Sequence, residues 1–357
     1  MNRVKQWILI DPLDTLFFKG SEPMIAGESH EVRSIFPPMP STFVGAFRTA
    51  ILQQRRINPK DFTSPEGPDP EISKKYPLLG TPENSEFEVI GPIFRLLLRE
   101  REEDYFIPAP AHWFGDLPGI WEDGQDIYVA IGEMIPEKFI SLGLCGGIPY
   151  PVWVLEPERR EVKSLAGYWV NLSALTTSEK KRAIRAYTSV ENIRPDTPSI
   201  LSLTALFDFE GRVGIALENL TRRARQGHLY SSTHVRLKQE VSIVIGLSDE
   251  LVPTYLNDKG VLQLGGEQRV VRYELLSEGP LLRDGGTSWI MGVAAFSASE
   301  LETNNWQSLP RVSGPLIRMG GWDMKSQFHK PIKAYYPAGT VIMAGQDVDI
   351  PYNFIRL

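Results

Sequence analysis

Two aspartates, Asp11 and Asp14, close an apolar run near the N-terminus. Such a pair serves acid–base or metal chemistry when its members hold different protonation states. Flanking Pro12, the same residues read first as turn and cap residues. Ser29/His30 and Ser232/His234 each set a hydroxyl beside an imidazole, but nearness in sequence does not supply the geometry of a nucleophile and its base. A phosphate loop ending in Gly-Lys-Ser/Thr, a Gly-x-Ser-x-Gly elbow and a His-Glu-x-x-His helix are all absent, and His30-Glu31-Val32-Arg33 is only a fragment of the last.

Glycine doublets carry more information. Gly320-Gly321 is followed by Trp322, with Lys325, Lys330 and Lys333 close behind. Exposed backbone N–H groups, an aromatic face and cations are the components of a nucleic-acid backbone site. The bland alternative is a glycine turn beside a core tryptophan. Gly265-Gly266 with Arg269 is a weaker version. The stretch from Arg222 to Arg236 adds Arg223, Arg225, His228, Tyr230, Ser231, Ser232, Thr233 and His234, a set able to track phosphates or to form a solvated charged face.

Composition limits what these groups can belong to. The 357 residues include 30 glycines and 28 prolines, above the usual share of about 12% for the two together. That excess argues for many turns and against a helical bundle or coiled coil. With 42% hydrophobic residues the chain can bury a core, and its length suits two domains. A net charge of −6 provides no global positive field, so any anion site is local. The one cysteine, Cys145, forms no intramolecular disulfide, and the five histidines lack metal-ligand spacing, so no metal or cofactor is expected. The apolar stretch Trp7 to Ile10 is too short for a secretion signal, and no run approaches a membrane span. A soluble cytoplasmic protein is expected.

The elements that must position these groups follow from periodicity. Val4 to Ile10 reads as an opening strand stopped at Asp11-Pro12, and Leu13 to Phe18 as a second apolar piece. Pro37-Pro38-Met39-Pro40 predicts a stiffened helix entry with Ser41 or Thr42 as N-cap, and a helix running to about Arg56. Phe43, Phe47, Ala50 and Ile51 form one buried stripe, with Arg48, Arg55 and Arg56 off it. Gly45 inside that helix predicts a close backbone approach. Residues 57–86, dense in proline and acidic side chains, read as a loop-like insertion. Strand text resumes at Phe87 to Leu98 and Tyr105 to Ile107, broken by Pro108-Ala109-Pro110, and Thr176-Thr177-Ser178-Glu179 predicts a capping box before a helix over Lys180 to Tyr187. Downstream, Arg212 to Leu217, Gly227 to Thr233, Val235 to Leu247 and Leu264 to Val271 read as strands, and Arg318 to Asp323 as a loop before a closing strand. The order fits an α+β arrangement, with domains at 1–195 and 196–357 and a glycine-rich loop near 320.

Asp14-Thr15-Leu16-Phe17-Phe18 and the run from Phe36-Pro37-Pro38 through Gly45-Ala46-Phe47-Arg48 to Ala50 resemble the N-terminal signature of the third subunit of the Cmr complex, in the RAMP superfamily of type III-B CRISPR effectors. The resemblance continues through Phe106 to Ala111, Arg212 to Ile215, Gly227 to Tyr230, Gly265 to Arg269 and Gly320 to Asp323, across nearly the whole chain. Two departures stand out: His112-Trp113 follows Ala111 where an aspartate would be expected, and Gln268 interrupts a more usual Gly-Gly-Glu-Gly-Arg.

The resemblance implies two ferredoxin-like (RRM-like) domains with glycine-rich loops and long insertions, and a non-catalytic role in antiviral defence. It implies that the protein holds the 5′ tag of the guide RNA (crRNA) and docks against the large polymerase/cyclase-like subunit and the backbone subunit. RNA contacts are then expected at Ser41, Thr42, Gly45, Arg48, Arg212, Tyr230, Ser231, Ser232, His234, Arg236, Gly265, Gly266, Arg269, Gly320, Gly321, Trp322 and Lys325. Two alternatives stay open at this level: a guide-processing endoribonuclease of the same superfamily with His30 or His234 as base, and a metabolic enzyme using Asp11 and Asp14.

Overall fold

Frequent glycine and proline cut the chain into short extended pieces, and their backbone groups must pair between strands rather than within helices. The computed structural model describes residues 3–20, 31–64, 66–98, 102–117, 121–134, 152–153, 161–176, 181–195, 197–218, 223–282, 285–323, 328–346 and 348–357. These form a mixed α/β protein, rich in strands. The Pro40–Gln54 helix has 15 residues, and no other described α-helix exceeds six. No described helix is long and apolar enough to cross a membrane.

Two units make up the chain, each from separated segments. The first comprises Met1–Val89, Phe207–Glu278 and Arg318–Lys333. Its elements are β1 (Gln6–Pro12), β2 (Glu31–Arg33), α1 (Pro40–Gln54), β3 (Phe207–Leu217), β4 (Ala224–Leu237), β5 (Val241–Leu247), β6 (Lys259–Gln263), β7 (Val270–Leu276), all of β8 (Ile317–Asp323) but its first residue, and β9 (Phe328–Tyr336) as far as Lys333. Strands β6, β7, β1 and β5 lie side by side in that order, all antiparallel, with Ile8 opposite both Ile245 and Leu275. Every residue of β5 is buried, which explains an apolar text interrupted by one polar side chain, Ser242. Helix α1 lies against β6 and buries Phe43, Ala46, Phe47, Ala50, Ile51 and Leu52. Its end is pinned: Gln54 Nε2 donates to the Tyr273 hydroxyl at 2.7 Å, and Arg55 Nε to the Tyr255 carbonyl at 2.9 Å. A separate antiparallel ladder joins β3 to β4, and β2 pairs parallel to β4.

Several local expectations are corrected. The α1 N-cap is Met39, with no side-chain cap, because Pro40 already starts the helix; Ser41 and Thr42 lie in its first turn. Gly45 meets nothing within 4 Å of where a Cβ would stand and is exposed, so no close approach occurs. Residues 57–86 hold short helices, Pro59–Phe62 and Pro70–Lys75, and bury Phe62, Tyr76 and Leu79. Leu13 to Phe18 forms no strand of its own; it contributes one bridge, Leu16 to Val235. The run from Val235 divides between β4 and β5, Leu264 to Arg269 is the turn between β6 and β7, and Gly320-Gly321 stand within strand β8.

The second unit comprises Ile90–Leu206, Gly279–Ile317 and Ala334–Leu357. Its larger sheet runs Val89–Leu97, Glu103–Pro108, Tyr168–Asn171, Ser199–Ser202, Lys181–Tyr187, Gln125–Ile131, Trp113–Gly115 and Lys163–Ser164. Lys181–Tyr187 is therefore a strand where the capping-box reading predicted a helix; Arg182, Ile184 and Ala186 alternate inward, a period of two that side-chain packing rewards. Residues 177–180 lie outside the described residues. Asn171 is fully buried and satisfied: its Nδ2 donates to Asp104 and the Thr197 carbonyl, and its Oδ1 accepts from the Ala174 and Ser199 amides. A smaller sheet packs Ile290, Ile342 and Phe354 with Phe296, Leu301 and Trp306 into a core of its own.

His112, one of the family departures, is buried in this unit and stacks on Trp289 at 5.0 Å. Burial first, then the Arg182 charge, pushes its pKa from 6.5 down to about 3. The folded chain thus keeps His112 neutral while the unfolded chain protonates it below about pH 6.5, so this contribution is fully present above that pH and fades as pH falls toward 3. Urea titrations should show a loss approaching about 1.4 kcal/mol per pH unit across that window. His112→Phe should flatten it, and an unchanged slope would contradict this assignment.

Candidate functional site

The β3–β4 register sorts the hairpin's side chains onto two faces. Asp208 lies opposite Arg236, Glu210 opposite His234, and Arg212 opposite Ser232. Alternation then puts Glu210, Arg212, Ser232, His234 and Arg236 on one face. The other face carries Phe209, Val213 and Ile215, each at least half exposed. Ser231 belongs to this second face, apart from Ser232.

On the polar face the charges close into a ring. Arg236 Nη2 donates to Asp14 Oδ1 at 3.0 Å, while Arg212 Nη2 and Arg269 Nη1 both donate to Asp14 Oδ2 at 3.2 Å. Arg212 Nε and Arg236 Nε also donate to the two oxygens of Glu210, at 3.0 and 2.8 Å, and Arg269 Nη2 donates to Glu267 at 3.0 Å. Three guanidinium groups thus meet three carboxylates. Partial burial pulls the Asp14 pKa upward, but the Thr15 amide and the Arg212 and Arg236 guanidiniums outweigh it and hold the carboxyl at about 2. Asp14 is therefore ionised at neutral pH and is no general acid. Asp11 sits opposite Arg272 in the β1–β7 register. No group of three or more potential metal ligands occurs among the described residues.

Behind this ring lies His234, fully buried. Its Nδ1 is 3.2 Å from Thr15 Oγ1, its Nε2 is 3.1 Å from Ser232 Oγ, and its ring stacks on Phe17 at 5.0 Å. Burial lowers its pKa, with Glu267 opposing and Arg269 reinforcing the shift. The imidazole is thus buried with both nitrogens engaged by side chains of the protein. His30, the other nuclease candidate, lies outside the described residues.

Gly265-Gly266 serves chain packing. The Gly266 amide donates to the Phe17 carbonyl at 2.7 Å, and a Cβ on Gly265 would stand 2.4 Å from that same oxygen. Gly265, Glu267 and Gln268 all have positive φ, at 84°, 53° and 54°. The departure at Gln268 thus falls where a left-handed backbone favours glycine. Arg48 points to the 57–86 segment: it donates to the Thr81 and Pro82 carbonyls and lies 5.0 Å from the Phe62 ring. Burial lowers its pKa, with Glu83 opposing. Ser41 and Gly45 are exposed on α1, and Thr42 is half-buried. Tyr230 lies opposite Gly214 in the hairpin, Gly320, Gly321 and Trp322 lie in β8, and Lys325 falls outside the described residues.

The structure therefore brings together Arg212, Ser232, His234, Arg236 and Arg269, with Gly265-Gly266 in the same turn as Arg269. Sequence reasoning missed Thr15, Glu210 and Glu267 as their partners. A signal existed for one: Glu210-x-Arg212 has the spacing of same-face neighbours on a strand.

A family model described as CRISPR-associated protein (Cas_Cmr3) matches residues 8–301. A protein of Saccharolobus solfataricus described as CRISPR system CMR subunit Cmr3 is 29% identical over 73 residues, 20% of this chain and 23% of that protein's length. A chain of the type III-B Cmr-beta complex bound to cognate target RNA and AMPPnP aligns at TM-score 0.49 and 14% identity, over 94% of this chain and 86% of that one. A chain of the Csm3–Csm4 subcomplex of a type III-A interference complex aligns at TM-score 0.39 and 9% identity, over 96% and 94%.

Two measurements test the site's architecture. Gly265→Ala should lower stability by about 1–3 kcal/mol through strain at positive φ, whereas Gly45→Ala should raise it by about 0.5–1 kcal/mol; thermal melting that ranks the pair the other way contradicts both placements. Because the folded Asp14 pKa lies below its ordinary 3.8, its stabilisation is present above about pH 4 and lost as pH falls toward 2. Asp14→Asn should remove that part of the acid sensitivity, read from urea midpoints across the same range.

Proposed function

Since the chain belongs to the Cmr3 family of CRISPR-associated proteins, we propose that it is a non-catalytic subunit of a type III-B effector that holds the 5′ tag of the guide RNA. The observation carrying this reading is the convergence of Arg212, Arg236 and Arg269 on one face of a long hairpin. Guanidinium groups bind phosphate oxygens in planar, bidentate fashion, and phosphate contacts set the register of a nucleic acid on a protein. Exposed Ser41 and Gly45 on α1 supply a surface that a backbone can approach, since Gly45 has open space around it. Trp322 beside Gly320-Gly321 is the proposed stacking face for a tag base, with Lys325 as a further cation.

The reading extends to partners and fold. The two units are proposed to be RAMP-type ferredoxin-like domains. Phe209, Val213 and Ile215, exposed together on the reverse of the hairpin, supply apolar surface for a neighbouring protein, and the large polymerase/cyclase-like subunit and the backbone subunit are the proposed neighbours. Burial of His234 weighs against the nuclease alternative.

Complexes assembled with Arg212→Ala plus Arg236→Ala should retain less guide RNA. The salt dependence of the residual binding should drop by about 0.7 in log–log slope for each phosphate no longer engaged. Trp322→Ala should reduce the preference for tagged over untagged guides. Full guide occupancy with unchanged preference in the triple variant would overturn the proposal.

A further inference from the structure

We infer that the carboxylates of Asp14, Glu210 and Glu267 stand in for RNA phosphates, masking the guanidinium groups of Arg212, Arg236 and Arg269 until a single-stranded RNA backbone displaces them. The inference rests on the RNA-binding reading above and concerns how the same arginines are kept in reserve. Asp14 takes three guanidinium donors on its two oxygens, Arg236 on one and Arg212 with Arg269 on the other. A phosphodiester offers the same pattern through its two non-bridging oxygens. Glu210 bridges Arg212 and Arg236, and Glu267 completes Arg269, so three positive groups are matched by three negative ones.

Accessibility fits displacement at Asp14. Its side chain is 49% exposed, against 32% for Arg212 and 18% for Arg269, while Arg236, at 46% against 36% for Glu210, is itself open to solvent. Each exposed ion pair holds weakly and is screened by salt. A single phosphate would replace one carboxylate for little gain, whereas linked phosphates engage several arginines at once and release counterions. The masked state limits adventitious anion binding by the free chain, and release occurs where an RNA backbone is held against the hairpin.

The test uses the full-length chain with a short oligouridine and, separately, inorganic phosphate. Glu210→Gln and Asp14→Asn should each bind oligouridine about two- to five-fold more tightly, from the strength of the surface pair removed. The salt slope should steepen by about 0.7 for each phosphate newly engaged. Inorganic phosphate should show little gain in either variant, and a gain equal to that for oligouridine would overturn the requirement for linked phosphates. Arg236→Ala added to Glu210→Gln should erase the gain. Glu250→Gln makes the same charge change at an exposed residue outside the ring, and should give a smaller gain. Unchanged affinity and slope in Glu210→Gln would overturn the inference, and so would an equal gain in Glu250→Gln. Should Asp14→Asn fail to fold, Glu210→Gln decides alone. The gain should be equal for tagged and untagged RNA, whereas the tag reading stands or falls on the difference between them, so the two fail separately.

Discussion

The first unit is organised by one short crossing, Leu13 to Phe18, which satisfies several elements without being one. Its Leu13 amide donates to the Val270 carbonyl, Leu16 exchanges both backbone hydrogen bonds with Val235, the Phe17 carbonyl accepts from Gly266, and the Phe18 carbonyl accepts from Ile35. Asp14 adds the charged joint and Thr15 the buried one. The magnitudes divide the labour. Burying Leu16, Phe17 and Phe18 is worth about 1.5–3 kcal/mol for each side chain, while each exposed ion pair contributes at most about 1 kcal/mol. Packing holds the crossing in place, and the charges specify which residues face one another.

Much of this was legible where local pattern and tertiary demand agree. The opening strand and the buried stripe of α1 follow from periodicities that packing then rewards, whereas Arg212, Ser232, His234 and Arg236 are legible one by one and meet only through the β3–β4 pairing. Legibility failed where a local signal lost to a distant one. Lys181–Tyr187 carries helix-tolerant residues, yet its period-two burial between two strands decided its conformation. The proline-rich segment at 57–86 looked loop-like because its anchors, Phe62, Tyr76 and Leu79, are isolated apolar residues among polar ones. Gly265 carries the mark of a close approach, but sequence does not say whether a carbonyl or a phosphate makes it. Glu210 has one partner within reach of a local window, Arg212, but its pairing to Arg236, 26 residues away, and that of Asp14 to Arg269, 255 residues away, lie beyond any local window.

The net charge of −6 takes on a different meaning beside this ring. The average hides a balanced local arrangement in which three arginines meet three carboxylates. Whole-chain charge therefore reports poorly on what the hairpin's polar face can hold.

The two-faced hairpin also restricts how such a chain can change in length. A one-residue shift of β3 against β4 would turn Glu210 and Arg212 toward the apolar side and carry Phe209, Val213 and Ile215 into the charged ring. Insertions on the near side of Ile215 must therefore come in pairs or be absorbed by a bulge. The ladder already has such an irregularity, between Ile215 and Leu217, beyond the last charged pair. Length variation among relatives should accumulate on that far side, leaving the spacing from Asp208 to Arg212 and from Ser232 to Arg236 fixed.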